Sequence, residues 1–265
     1  MKNKILAGII GALACASNLS AADLSLWYSQ PATVWERQAL PIGNGQMGAM
    51  ILGGTNSEDI QFNEESLWIG DEEDTGAYQA FGDVLVEFNH AGVTNYRREL
   101  DLQRAVHTVT YESGGVKFQR EAFASFPSKV IVVRFTADKP GALTGTVSLT
   151  DMHKGKIVAE KNRLTSSGAL QGYSYKGGSA KDGKPPYAIA LQYEAQVAVL
   201  NNGATVAVVG DKISFQNANN ITLLIAAGTD FVQDRKQGWH GELPHGKVKA
   251  RIEAAVRRSW DDLLA

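Results

Sequence analysis

The segment Pro41-Ile-Gly-Asn-Gly-Gln-Met-Gly-Ala-Met50 places glycines at 43, 45 and 48, the G-x-G-x-x-G spacing of a dinucleotide-binding turn. Glu64 and Glu65 follow about 20 residues on, where such a site keeps its ribose-binding carboxylate. That chemistry needs a buried strand before the glycines and a helix of about ten or more residues after them, whose N-terminus receives the pyrophosphate. Pro41 is unsuited to a central strand. The few apolar residues after Gly48 end at Gly53-Gly54, too soon for such a helix. The glycines are therefore expected to give backbone freedom to a loop between strands, a loop still able to touch a ligand.

The adjacent carboxylates of Phe62-Asn-Glu-Glu-Ser-Leu-Trp68 invite an acid/base reading. Neighbours on a strand point to opposite faces, and on a helix they diverge by about 100°. Neither places two carboxylates across one bond at the ~5–10 Å used by paired acid/base carboxyls. The expectation is that Asn63 caps a turn and one Glu is solvated; the other reading is that one Glu meets a ligand with Trp68 stacking nearby. His90, His107, His153, His240 and His245 are scattered, with no H-E-x-x-H, and no G-x-S-x-G nucleophile elbow occurs. No metal or cofactor is expected. Tyr96-Arg-Arg-Glu99 reads as a solvated strand face with cross-strand pairing.

These residues must be positioned by strands. Ala49–Leu52 and Ile60–Phe62 form a hairpin pattern around Gly53-Gly54 and Thr55–Asp59. Further strands are predicted over 84–88, 105–111, 116–120, 129–136, 145–149, 188–200, 204–209, 212–215 and 221–227, with a two-residue hairpin at Asn202-Gly203. Ten to twelve closely spaced strands without a crossover helix predict an all-β fold, one large antiparallel β-sandwich. Tyr173–Pro186 reads as a long exposed loop. Val248, Ile252, Ala255, Val256, Trp260, Leu263 and Leu264 recur at helical spacing, so the sandwich is followed by a linker α-helix, read as truncated because apolar residues still accrue at Ala265. Its Trp260 and Leu264 side is expected to be an exposed apolar patch.

The chain has 265 residues, 44% hydrophobic and 20% charged, an ordinary globular balance. Residues 1–22 read as a signal peptide: Lys2 and Lys4, an apolar run over 5–16, and the small residues Ser20-Ala21-Ala22 before Asp23. The sole cysteine, Cys15, lies within it, and Ala12-Leu13-Ala14 before it makes a poor lipidation box. Cleavage leaves 24 basic against 28 acidic residues, a net of −4, with no basic cluster of the kind nucleic acid requires. No transmembrane segment is expected, and an exported, periplasmic or extracellular protein is.

Five blocks, in order, carry a resemblance. Leu40–Met50 resembles the PLGNGxxGAM segment of glycoside hydrolase family 95, and Gln61–Trp68 its QxNExxLW block. Tyr78-Gln-Ala-Phe-Gly-Asp83 is similar to YQxxGD, Tyr96–Leu102 to YxRxLDL, and Arg120–Ser125 to RExFAS. The likeness spans 26–265 and weakens after about residue 150. That family consists largely of exo-acting, inverting α-L-fucosidases. The resemblance implies an N-terminal β-sandwich at 23–238, the start of a helical linker at 239–265, and a catalytic (α/α)6 barrel beyond this chain, against which the sandwich packs. On that reading the chain has no catalytic residues, and Asn44, Gly45, Asn63, Glu64 and Trp68 are candidates for the rim of a pocket that takes a fucosylated glycan. Between Trp68 and Tyr78 the chain is shorter than many members. Two further readings stand beside this one: a free-standing carbohydrate-binding module, using Trp68, Tyr173, Tyr175 and Trp239 to stack on sugars, and a gene fragment with no separate role.

Overall fold

A computed structural model describes residues 24–70, 76–170 and 189–265. The signal-peptide reading, Cys15, and the loop with Tyr173 and Tyr175 lie outside the described residues. Eighteen strands run in chain order among those described. They are β1 (Ser25–Tyr28), β2 (Leu40–Gly43), β3 (Met47–Ile51), β4 (Ser57–Glu64), β5 (Trp68–Ile69), β6 (Ala77–Tyr78), β7 (Gly82–Phe88), β8 (Thr94–Asp101) and β9 (Val106–Ser113). Then come β10 (Val116–Ser125), β11 (Val130–Ala137), β12 (Leu143–Leu149), β13 (Lys156–Glu160), β14 (Arg163–Ala169), β15 (Gln192–Asn202), β16 (Thr205–Val209), β17 (Lys212–Ala218) and β18 (Asn220–Thr229). Three helices complete the chain: α1 (Trp35–Gln38), α2 (Pro244–Val256) and α3 (Trp260–Leu264).

The strands build two antiparallel sheets and a small ribbon. The large sheet runs β1-β8-β9-β10-β11-β18-β15-β14-β13, the second β16-β17-β12-β7-β4-β3-β2, and β5-β6 stand apart. The all-β sandwich expected from the sequence is the fold. Pro41 sits on the edge strand β2, where a missing N–H costs no ladder bond. Alternation explains β4: Glu58, Ile60, Phe62 and Glu64 face inward, and Asp59, Gln61 and Asn63 outward. The inner faces of both sheets meet in one core that includes Phe62, Phe81, Val133, Tyr193 and Phe215.

Three strands break alternation. β11, β15 and β18 are almost continuously buried. Their outward residues Val130, Val132, Ala198, Leu224 and Ala226 are covered by Val248, Ile252 and Ala255 of α2 and by Leu263 of α3. Strands covered on both faces read as uninterrupted apolar runs, which periodicity cannot orient. This second core corrects the exposed patch expected at Trp260 and Leu264. Trp260 packs edge-on to Phe123 with centroids 4.9 Å apart, and the Arg134 guanidinium lies 3.6 Å from its ring centroid.

Other readings are corrected as well. The strand count exceeds twelve because short or weakly apolar strands such as β1 and β13 pair at edges. At Asn202-Gly203 there is no two-residue hairpin: β15 pairs with β14 and β18, whereas β16 pairs with β17 in the other sheet. Gly203 has φ of 76°, so the left-handed turn exists, but it carries the chain between sheets. Tyr96–Glu99 is only half solvated. Arg97 pairs with Glu99 on the surface, but Arg98 is 1% exposed. Its guanidinium donates to the carbonyls of Gln30 (2.9 Å) and Gln38 (2.6 Å) and lies over the Tyr28 ring, clamping the N-terminal segment to the sheet.

Candidate functional site

The chain leaves β2 at Gly43, β4 at Glu64, β10 at Ser125 and β18 at Thr229. Two hydrogen bonds tie these exits into one end of the sandwich. Asn44 Nδ2 donates to the Ser125 carbonyl at 2.9 Å, and the hydroxyls of Ser66 and Thr229 lie 2.6 Å apart. Asn44 Oδ1 also accepts from the N–H groups of Gln46 (3.1 Å) and Met47 (2.8 Å), closing the glycine loop on itself. Asn44 is thus buried and its amide faces the protein. Of the three motif glycines only Gly45, at φ 82°, needs the left-handed region. Strand β3, not a helix, follows the loop, in agreement with the rejection of a nucleotide site.

The adjacent carboxylates part as alternation requires. Glu64 is 3% exposed, and its oxygens accept from Gln46 Nε2 (3.2 Å) and from the Ser66 N–H (2.9 Å) and hydroxyl (2.6 Å). Asn63 Oδ1 accepts from the Glu64 N–H at 2.8 Å. Glu65 is exposed. Arg251 of α2 feels both carboxylates: burial pulls its guanidinium below the ordinary value, and Glu64 and Glu65 pull the other way.

Three hollows open at this end. The largest, about 580 Å³, is lined by Trp68, Tyr78, Phe231 and Trp239, with Glu65 and Ser66 at its edge. A second, about 330 Å³, is lined by Gly45, Gln46, Asn63, Glu64, Glu65 and Tyr78. A third, about 380 Å³, lies over the outer face of the smaller sheet between Trp35, Met50, Gln61, Asn63 and Tyr78. Tyr78 borders all three. It stands as a ridge, set edge-on to Trp68 with centroids 4.4 Å apart. The β5–β6 ribbon that carries both rings closes tightly: a Cβ at Gly76, φ 61°, would collide with the Ile69 carbonyl.

Across the large hollow, Phe231 and Trp239 lie on the loop 230–241. Their rings are 6.5 Å apart and within 6° of parallel. The loop is pinned by an antiparallel bridge between Phe231 and His240 and by Gly241 N–H donating to the Asp230 carbonyl (2.6 Å). The Asp230 carboxylate joins His240 Nδ1 (2.8 Å) to the Gln192 N–H (2.8 Å).

Of the five residues singled out from sequence, Gly45, Asn63 and Glu64 line the second hollow and Trp68 the first. Asn44 holds the loop from behind. Tyr78, Phe231 and the Asp230–His240 pair did not stand out, and the adjacent pair Glu64 and Glu65 was weighed without telling which of the two faces a hollow. The Tyr78 block was visible, but only the ribbon turns it toward Trp68. Phe231 and Trp239 meet through a bridge that no local pattern encodes. Among the described residues no cluster of three or more His, Cys, Asp or Glu could hold a metal ion. The arrangement suits binding: stacking faces with carboxylate and hydroxyl groups at their edge.

Fold and mouth define an antiparallel sandwich domain with aromatic-lined hollows among the loops at one end. The chain belongs to the family described as glycosyl hydrolase family 65, N-terminal domain, which matches residues 26–78 and 70–234, and it is an N-terminal glycoside hydrolase domain. It is 30% identical, over 91% of its length, to "Alpha-L-fucosidase 2" of Arabidopsis thaliana, covering 34% of that protein. It is 23% identical, over 93% of its length, to "Probable alpha-fucosidase A" of Aspergillus oryzae, covering 39% of it. The chain therefore spans between a third and two fifths of these relatives. A solved structure, "Putative kojibiose phosphorylase from human microbiome", aligns with 91% of the chain and 36% of its own, at 10% identity and a TM-score of 0.46.

Proposed function

We propose that this chain is the non-catalytic sandwich of an exported α-L-fucosidase-like hydrolase. It lends loops to the rim of a sugar pocket whose general acid and water-activating groups sit on a separate helical barrel. The observation that carries this reading is the convergence of the Gly45 loop, the 63–68 stretch and Tyr78 at one end of the sandwich. The relatives' names support the fucosyl specificity, and the charged, then apolar, leader supports export. Glu64 supports a non-catalytic role, because its two oxygens are engaged by Gln46 and Ser66.

The test is hydrolysis of nitrophenyl α-L-fucoside by the purified chain. No release above the buffer blank is expected. Saturable release that disappears in Glu64→Gln or Glu65→Gln would place catalysis in the sandwich and end this reading.

A further inference from the structure

We propose that the Trp68–Trp239 hollow, joined across Tyr78 to the Gly45–Glu65 hollow, is a binding site of this chain for a neutral oligosaccharide of two or more pyranose rings. It shares with the proposed function only the placement of the rim. Its test reads binding rather than hydrolysis, so either can fail alone.

Three observations carry it. The first is that the rings are on offer. Tyr78 is 62% and Phe231 43% exposed, side by side with the half-buried Trp68 and Trp239, where burial would otherwise be favourable. Aromatic faces with a polar group at their edge take ligands that are apolar on one face and hydroxylated at the rim, as a pyranose is. Glu65 and Ser66 supply the edge, the carboxylate accepting from sugar hydroxyls.

The second is strain. Trp239 holds φ of 68°, a left-handed conformation that is unfavourable for a bulky residue. The loop enforces it: Trp239 N–H donates to the Asp234 carbonyl, Val232 N–H donates to the Trp239 carbonyl, and His240 is held by Asp230. Strain held in place by its surroundings clusters at ligand clamps and active sites. Here its product is the parallel setting of Phe231 and Trp239.

The third is size and charge. Volumes of about 580 and 330 Å³ on either side of the Tyr78 ridge match ligand pockets of roughly 300–1,000 Å³, and give one ring a seat on each side. Among the described residues, no lysine or arginine lines either hollow, Glu65 borders both and Glu64 lines the smaller. This field disfavours anionic sugars and phosphates.

The experiment is calorimetric titration of the whole chain with 2′-fucosyllactose, xylo- and cello-oligosaccharides, and sialyllactose as the anionic comparator. At least one neutral oligosaccharide is expected to bind with Kd of roughly 10 µM to 1 mM. Trp68→Ala and Trp239→Ala each weaken it tenfold or more, Trp239→Phe retains most of the affinity, and Trp27→Ala on β1 leaves it unchanged. Thermal melts identify any variant that fails to fold, and Trp239→Phe keeps the test open if Trp239→Ala does. The proposal is overturned by no saturable heat with any neutral oligosaccharide at about 10 mM. Preference for sialyllactose, or equal loss in Trp27→Ala, overturns it too.

Discussion

Glu58 and Arg120 form an ion pair inside the sandwich, with Glu58 wholly buried and Arg120 1% exposed. Glu58→Gln keeps an acceptor for the Gly53 N–H, now bonded at 2.8 Å, but removes the charge. Arg120 then keeps only the Gly54 carbonyl at 3.0 Å and the Phe135 face at 4.9 Å. Burial already pulls its guanidinium down to about 9, because the site disfavours the charged form. Breaking one side of a buried pair costs about 3–5 kcal/mol. For a domain of this size that lowers Tm by roughly 6–20 °C. The apolar double variant Glu58→Leu/Arg120→Met leaves no unpaired charge and recovers most of the loss. Urea unfolding followed by tryptophan fluorescence reads all three proteins. A loss below about 1 kcal/mol in Glu58→Gln, or a double variant worse than the single, would refute the reasoning.

Three further outcomes follow from the same packing. His107 is wholly buried with neither ring nitrogen bonded among the described residues, and burial, aided by Arg98, pushes its pKa down to about 3 from 6.5. Below pH 6.5 the unfolded chain takes up a proton that the fold refuses, so stability falls as pH drops toward 3; His107→Leu should flatten that slope and stabilise by about 1–3 kcal/mol in pH-dependent unfolding. Asp59 has the opposite sign: burial, then the charge of Asp83, raises it to about 6 from 3.8, so its contribution is full below 3.8 and lost as pH rises through 6. Because Asp59 is only half buried, Asp59→Asn should gain on the order of 1 kcal/mol above pH 6 and nothing below pH 4. Asn44→Ala removes the bond to the Ser125 carbonyl and the acceptor of the Gln46 and Met47 N–H groups, a loss of about 1–3 kcal/mol by denaturant titration, with faster amide exchange over residues 45–48.

Much of this fold was legible because sheets that bury one face write alternation into the sequence, as β4 does with Ile60, Phe62 and Asp59, Gln61. Where both faces are covered the signal vanishes, so β11 and β18 announced strands without revealing the helix packed over them. The Asn202-Gly203 turn has the chemistry of a hairpin, and only pairing across the whole sheet decides that the chain crosses over instead. Arg98 read as part of a solvated face because its partners, the Gln30 and Gln38 carbonyls, are fixed by tertiary contact. The rim was legible in part: Gly45, Asn63 and Trp68 fall in two distinctive stretches. Trp239 was legible as a stacking aromatic but its partner Phe231 was not, since a strained loop sets the two side by side, opposite residues more than 150 positions earlier.

The measurement that tests the central claim most directly is the response of the five tryptophan indole N–H signals to a neutral oligosaccharide in a proton–nitrogen NMR titration of the intact chain. Trp68 and Trp239 should shift together and saturably, whereas Trp27, on β1, and Trp260, on α3 and packed against Phe123, should stay in place. Five unmoved signals, or shifts confined to Trp27 and Trp260, would contradict a sugar-binding mouth at this end of the sandwich.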